Sequence, residues 1–323
     1  MTTLTSSRRW YSGVAGTYLG LAVTLLAMVL LFGSLSQYFL TLDTFVTLAN
    51  DIPALTVMAV GMTYVLIIAG IDLSVGSVMA LSSALCSMAI LQWGWGLTPA
   101  LLLGLGCGVA CGMFTGIVSV NWQLPSFIVS LGMLEIARGG AYVVTDSRTQ
   151  YIGSDVDWLS SNLVAGISPA FVIAIVVIVV GHLVLTRSVF GRYMIGIGTN
   201  EEAMRLAGVD PRPIKIAVYA LSGLFASIAG MMQTSRLEAA DPNTGIGIEL
   251  QVIAAVVIGG TSLMGGRGSV ISTFFGVLII AVLEAGMAQI GASDPTKRII
   301  TGVVIIAAVL LDKYREKRKQ RQH

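Results

Sequence analysis

The chain has 323 residues, 55% hydrophobic and 11% charged, less than half the charged share of about 25% usual in soluble domains. That balance, with 37 glycines, excludes an ordinary soluble domain and fits a helical membrane protein whose small residues let helices approach closely. The net charge of +2 says little as a total; its placement along the chain carries the information.

Arg8 and Arg9 precede an apolar run from Gly16 to Leu35. The run is longer than the ~7–15 residues of a signal-peptide core and no A-x-A site follows it, so it reads as an uncleaved first helix. With ~17–25 apolar residues per span, ten spans are predicted, at 14–35, 52–70, 75–92, 97–119, 126–145, 168–186, 216–235, 249–263, 269–290 and 299–312. The expected fold is therefore an all-α polytopic membrane protein in one domain, 1–323. Its halves are 14–145 and 168–312, with a polar loop at 187–215 and a basic tail at 313–323. Spans two and eight each run into a polar, glycine-rich break.

Ten spans put both termini on one side. That side then holds fourteen of the 19 basic residues, against four on the other (Arg148, Arg236, Lys297, Arg298) and Arg138 in the membrane. The positive-inside rule makes the fourteen-residue side cytoplasmic. The longest outer loop, Asp146 to Gly166, is acidic, and either receives a soluble partner or is simply solvated. The tail, Lys313 to Arg321, reads as an anchor against anionic membrane lipid and not as a nucleic-acid arm.

In the fourth span Gly104, Gly108, Gly112 and Gly116 share one helix face, a surface for close helix packing. Val65 to Val78, VLIIAGIDLSVGSV, is echoed by Val256 to Val270, VVIGGTSLMGGRGSV. Glycine-broken segments at matched positions point to a transport pathway, and a repeat of five spans would be inverted. In the first break Asp72, with Ser74 and Ser77, either hydrogen-bonds a polyol or caps the third span. Gly259 and Gly260 mark the second break. Glu135 and Arg138, three apart on the fifth span, either pair with each other or face a pathway. Glu284, in the ninth span, has no partner evident in the sequence.

Cys86, Cys107 and Cys111 lie in apolar stretches and read as packed thiols. No catalytic or metal site is expected. G-x-x-x-x-G-K-[ST], H-E-x-x-H and G-x-S-x-G are all missing, and the two histidines are His182 and His323.

The one long polar segment between spans is Arg187 to Lys215. Inside it Asn200 to Gly208 reads as a short helix: Asn200 is the N-cap, Glu201 and Glu202 occupy the first turn, and Gly208 is the stop. It offers a docking surface.

Three segments carry a family resemblance. They are Ala59-Val60-Gly61-Met62-Thr63 running on to Gly70-Ile71-Asp72-Leu73-Ser74-Val75-Gly76-Ser77, then Gly191-Arg192-Tyr193 with Asn200-Glu201-Glu202-Ala203 and Arg205-Leu206-Ala207-Gly208, then Ala254 to Leu263 with Gly265, Gly266 and Gly268. Along nearly its whole length the chain resembles the permease subunits of bacterial ribose-type ABC sugar importers. The resemblance implies a paired permease in the inner membrane, with the second chain either a copy or a paralogue. It implies a periplasmic sugar-binding protein on the outer face and a cytoplasmic ATPase that carries the ATP and grips a coupling helix. That helix falls on Glu201, Glu202, Ala203, Arg205, Leu206 and Gly208; this chain binds no cofactor itself. Asp72, Ser74, Ser77, Glu135, Arg138, Gly259, Gly260 and Glu284 are the candidate pathway residues. The sequence departs from the family at Leu283 to Gly291, where an acid, Glu284, stands in a stretch often marked by asparagines. The rival class is an ion-coupled carrier or channel working through Asp72, Glu135 or Glu284; such a carrier needs no ATPase socket.

Overall fold

A computed structural model describes the backbone at residues 5–161, 166–293, 295–304, 306, 307 and 310, with side chains from residue 18 onward apart from residue 155. The basic tail, the side chains of Arg8 and Arg9, and the end of the tenth span lie outside the described residues. Among the described residues the α-helices run in order: α1 (Thr5–Leu35), α2 (Leu42–Ile67), α3 (Val75–Leu91), α4 (Leu97–Asn121), α5 (Ser126–Val144), α6 (Pro169–Arg187), α7 (Val189–Thr199), α8 (Glu201–Leu206), α9 (Pro211–Leu237), α10 (Ile248–Ile258) and α11 (Val270–Gln289). Helix resumes over 295–304. The protein is all-α; the two-residue strands β1 (Gln150–Tyr151) and β2 (Ala239–Ala240) pair antiparallel and tie two loops together.

Among the described residues seven helices are long and apolar enough to cross a membrane: α1, α2, α4, α5, α6, α9 and α11. The 17 residues of α3 reach ~25 Å and the 11 of α10 only ~16 Å, against a hydrocarbon core of ~30 Å. The eighth predicted span, 249–263, is therefore a short helix cut at Ile258. The second begins ten residues earlier than expected, at Leu42, because its polar residues are satisfied. Thr41 caps it through Thr44 N, Asn50 bonds Gly166 O at 2.8 Å and Ser168 N at 3.0 Å, and Asp51 meets Arg236 of α9 at 2.6 Å.

From Ile52 to Ile67 every residue of α2 is buried, which makes it the central staff of the fold, with α6, α9, α10 and α11 around it. Hydroxyls bind it to its neighbours: Tyr64 donates to Gly181 O at 2.6 Å, and the hydroxyls of Thr63 and Thr273 lie 2.8 Å apart. Such side chains find partners across helices because lipid offers none. By contrast α1 leaves Leu19, Val23, Leu26 and Leu30 exposed along its length, an apolar face suited to lipid.

The glycine face of α4 packs against α9 as the spacing predicts. A Cβ on Gly108 would lie 1.7 Å from Ser227 Oγ and 2.4 Å from Gly223 O, and one on Gly112 would lie 2.1 Å from Tyr219 O. The two backbones are in direct contact, and any side chain at these positions would force them apart. The three cysteines are free thiols.

Candidate functional site

The polar loop folds into two helices where the sequence reading expected one. Ser188 caps α7 by accepting from Gly191 N at 2.9 Å, and α7 buries Gly191, Met194 and Ile197 on one side. That helix was missed because Gly191, Gly196 and Gly198 punctuate it like a loop. After Thr199 the chain turns extended at Asn200, whose Oδ1 accepts from Ala203 N at 2.9 Å, and α8 begins as predicted. Glu201 of α8 binds Arg205 at 2.8 Å and Lys215 of α9 at 3.0 Å. Gly208, at φ +82°, ends the segment, a left-handed conformation that favours glycine. No residue of α8 is buried, and Leu206 is 83% exposed.

Beneath α8 lies a cleft of about 360 Å³ whose lining includes Gly70, Gln123, Ser126, Glu201, Arg205 and Lys215. One wall belongs to the first break, 68–74. Both breaks come together here: Gly266 N donates to Ile67 O at 2.8 Å. They lie side by side on the face that carries α7 and α8.

From that face the first break turns back into the protein. Asp72 is 1% exposed. Its Oδ1 accepts from Ser74 N at 3.0 Å and Ser74 Oγ at 2.6 Å, and its Oδ2 accepts from Ser222 Oγ of α9 at 2.8 Å. Ser222 stands eleven residues into α9, ~17 Å along a helix of ~40 Å, so Asp72 sits beside the middle of α9. It does not cap α3. The N-cap position is Ser74 and makes no side-chain cap bond; Asp72, two residues earlier, braces the approach to α3 and bolts it to α9. Ser130 and Ser126 of α5 hold the same stretch, accepting from Leu73 N at 3.1 Å and Ile71 N at 3.0 Å. Ser77 is buried on α3.

The short helices α3 and α10 begin against each other. A Cβ on Gly76 would lie 2.4 Å from Gly245 O and 2.7 Å from Glu249 Oε2. At its other end α10 stops at Gly259, which packs on α11 so closely that a Cβ would lie 2.6 Å from Ser272 O, and at Gly260, φ +89°.

Glu135 and Arg138 do not form an ion pair among the described contacts. Arg138 donates instead to Pro242 O and, at 2.9 Å, to Thr244 O, because the turn leading into α10 sets its carbonyls over the guanidinium while Glu135 is exposed. Tyr142 adds a bond to Asn243 Oδ1 at 2.7 Å. Glu284 has the partner its sequence context hid: Gln251 of α10 donates to it at 2.6 Å. No His/Cys/Asp/Glu group suited to a metal occurs among the described residues.

These features define a class: a helical membrane protein with two broken segments packed against each other and a short, braced helix outside the bundle. The family model described as branched-chain amino acid transport system / permease component matches residues 44–309. The chain is 36% identical to the ribose import permease protein RbsC of Escherichia coli (strain K12) over 319 residues, 97% of this chain and 99% of that protein. It is 33% identical to the L-arabinose ABC transporter permease protein AraH of Azospirillum brasilense over 306 residues, 91% and 88% of the two chains. It is 31% identical to the fructose import permease protein FrcC of Rhizobium meliloti over 303 residues, 91% and 84%. The chain belongs to this family of ABC transporter permeases.

Proposed function

We propose that this permease carries a monosaccharide inward across the bacterial inner membrane, driven by ATP that a separate cytoplasmic ATPase binds. The relatives named for ribose, arabinose and fructose support a sugar as cargo. The observation that carries the ATP-driven reading is α8: a capped, ion-paired helix with no buried residue, outside the bundle yet seated on both breaks through α7. An ion-coupled carrier has no use for such a socket. Both termini and α8 face the cytoplasm, as the basic residues favour, and the opposite face receives a sugar-binding protein. A second permease chain completes the pathway.

Asp72, Ser74 and Ser77, the facing starts of α3 and α10, Arg138 with Glu135, and Gln251 with Glu284 line or position that pathway. Gly259 and Gly260 shape its second break. ATP binding closes the ATPases on α8 and selects between two discrete packings, outward- and inward-facing; each must be a separate state for ATP to bias it. Hydroxyl, carboxylate and carboxamide groups suit a sugar, whose hydroxyls both donate and accept.

Glu201→Lys tests the reading, because it breaks both ion pairs of α8 and reverses its charge while leaving the bundle untouched. Copurification of the cognate ATPase should weaken at least about tenfold, 1.4 kcal/mol. Undiminished copurification would remove α8 from the role.

A further inference from the structure

The last turn of α7 meets both broken segments with no side chain between them. A Cβ built on Gly198 would lie 1.7 Å from Ile67 O and 2.5 Å from Gly266 N. Those two atoms are bonded to each other, so three main chains converge on one point. Ile67 is the last residue of α2, and Gly266 lies in the turn joining α10 to α11. The contact is reinforced on either side: a Cβ on Gly265 would lie 2.8 Å from both Ala69 Cβ and Gly198 O, and one on Gly266 would lie 2.6 Å from Thr199 Oγ1. Two residues beyond Gly198, Asn200 caps α8.

The geometry is that of a stiff joint. Side chains absorb small displacements by changing rotamer, whereas backbone packed on backbone has no such slack. A shift of α8 reaches Gly198 through Thr199 and Asn200, and from Gly198 it must move Ile67 and Gly266 together. Downstream of Ile67 lies Asp72, bolted to α9; downstream of Gly266 lies the start of α11, where Ser269 caps the helix.

We infer that Gly198 is a positioning residue of the transport cycle: its lack of a side chain makes α8 and the two breaks one mechanical unit, so that closure of the ATPase moves both short-helix junctions at once. The inference rests on α8 being the ATPase dock. It predicts a distinctive defect, since Gly198→Ala leaves the Asn200 cap and both Glu201 ion pairs in place but wedges the joint open.

The test compares wild type, Gly198→Ala and the control Gly20→Ala, whose Cβ meets nothing within 4 Å, in the complete transporter with ATPase and binding protein in proteoliposomes. For Gly198→Ala the ATPase should still copurify and hydrolyse ATP, while sugar moved per ATP falls at least about tenfold, within the range of allosteric couplings. Stimulation of hydrolysis by the loaded binding protein should be lost. An unchanged ratio of sugar to ATP would overturn the inference, as would loss of ATPase copurification, which would make Gly198 part of the dock. If Gly198→Ala does not assemble, Gly268→Ala loads the same joint more gently, its Cβ meeting the Ile67 side chain at 2.8 Å; a smaller fall in the ratio supports the inference and no fall overturns it. Wild-type uptake that needs no ATP would overturn the proposed function and the inference together. ATP-driven wild-type uptake with an unaffected variant would overturn the inference alone.

Discussion

Asp72→Ala removes the acceptor of three hydrogen bonds at a side chain 1% exposed. The cost is decided by what the stranded donors can do next. Ser222 Oγ can turn to the carbonyl one helical turn back, as Ser227 does to Gly223 O at 3.0 Å. Its loss should therefore resemble the average interhelical bond in a membrane, ~0.6 kcal/mol. Ser74 Oγ can likewise rotate. Ser74 N cannot: it is fixed at the start of α3, and a stranded buried N–H costs ~1–3 kcal/mol. The sum is ~1.6–3.6 kcal/mol, on the order of 15- to 450-fold in the unfolding equilibrium. Asp72→Asn keeps an acceptor for Ser74 and offers an amide to Ser222, so it should cost under ~1 kcal/mol. Unfolding of the detergent-solubilised protein in graded SDS, followed by circular dichroism, measures all three states. A double-mutant cycle of Asp72→Ala with Ser222→Ala isolates the α3–α9 bond. If Asp72→Ala stays within ~0.5 kcal/mol of wild type, the reasoning is refuted. If Asp72→Asn is as damaging as Ala, charge matters and the bond count does not.

Two further outcomes follow from the packing. Gly108→Ala must separate α4 from α9 and should cost ~1–3 kcal/mol in the same assay, whereas Gly106→Ala, with nothing within 4 Å of its Cβ, should be neutral; equal effects would contradict the close α4–α9 contact. Arg138→Ala should free the turn before α10, raising amide hydrogen exchange over 243–248 by about tenfold or more, since hydrogen bonds to charged groups contribute ~1.5–3 kcal/mol; unchanged protection there would mean that Tyr142 and Asn243 hold the turn alone.

The membrane spans were legible because lipid imposes a length and a polarity that few other environments do. The α8 cap was legible too, since Asn200, two glutamates and Gly208 are local signals that need no tertiary partner. The glycine face of α4 announced a close neighbour, although not that the neighbour is α9. What the sequence hid was every partner at long range. Nothing local to Arg138 announces the carbonyls of Pro242 and Thr244, more than 100 residues away, and its i+3 geometry with Glu135 pointed to the wrong acceptor. Asp72 looked like a helix cap because it stands just ahead of α3, yet Ser222 of α9 completes its coordination. Asn50 and Asp51 masked the start of α2, because polar residues shorten a hydropathy window even where a loop carbonyl and Arg236 satisfy them. The echo of the two breaks was visible, while their contact at Ile67 and Gly266 required the fold.

The measurement that tests the account most directly is sugar uptake into proteoliposomes holding this permease with its cognate ATPase, binding protein outside, and ribose, L-arabinose or fructose offered in turn. The account predicts inward transport of a monosaccharide only when magnesium and ATP are present on the α8 side. Uptake at an undiminished rate without ATP, or driven by an ion gradient alone, would contradict it.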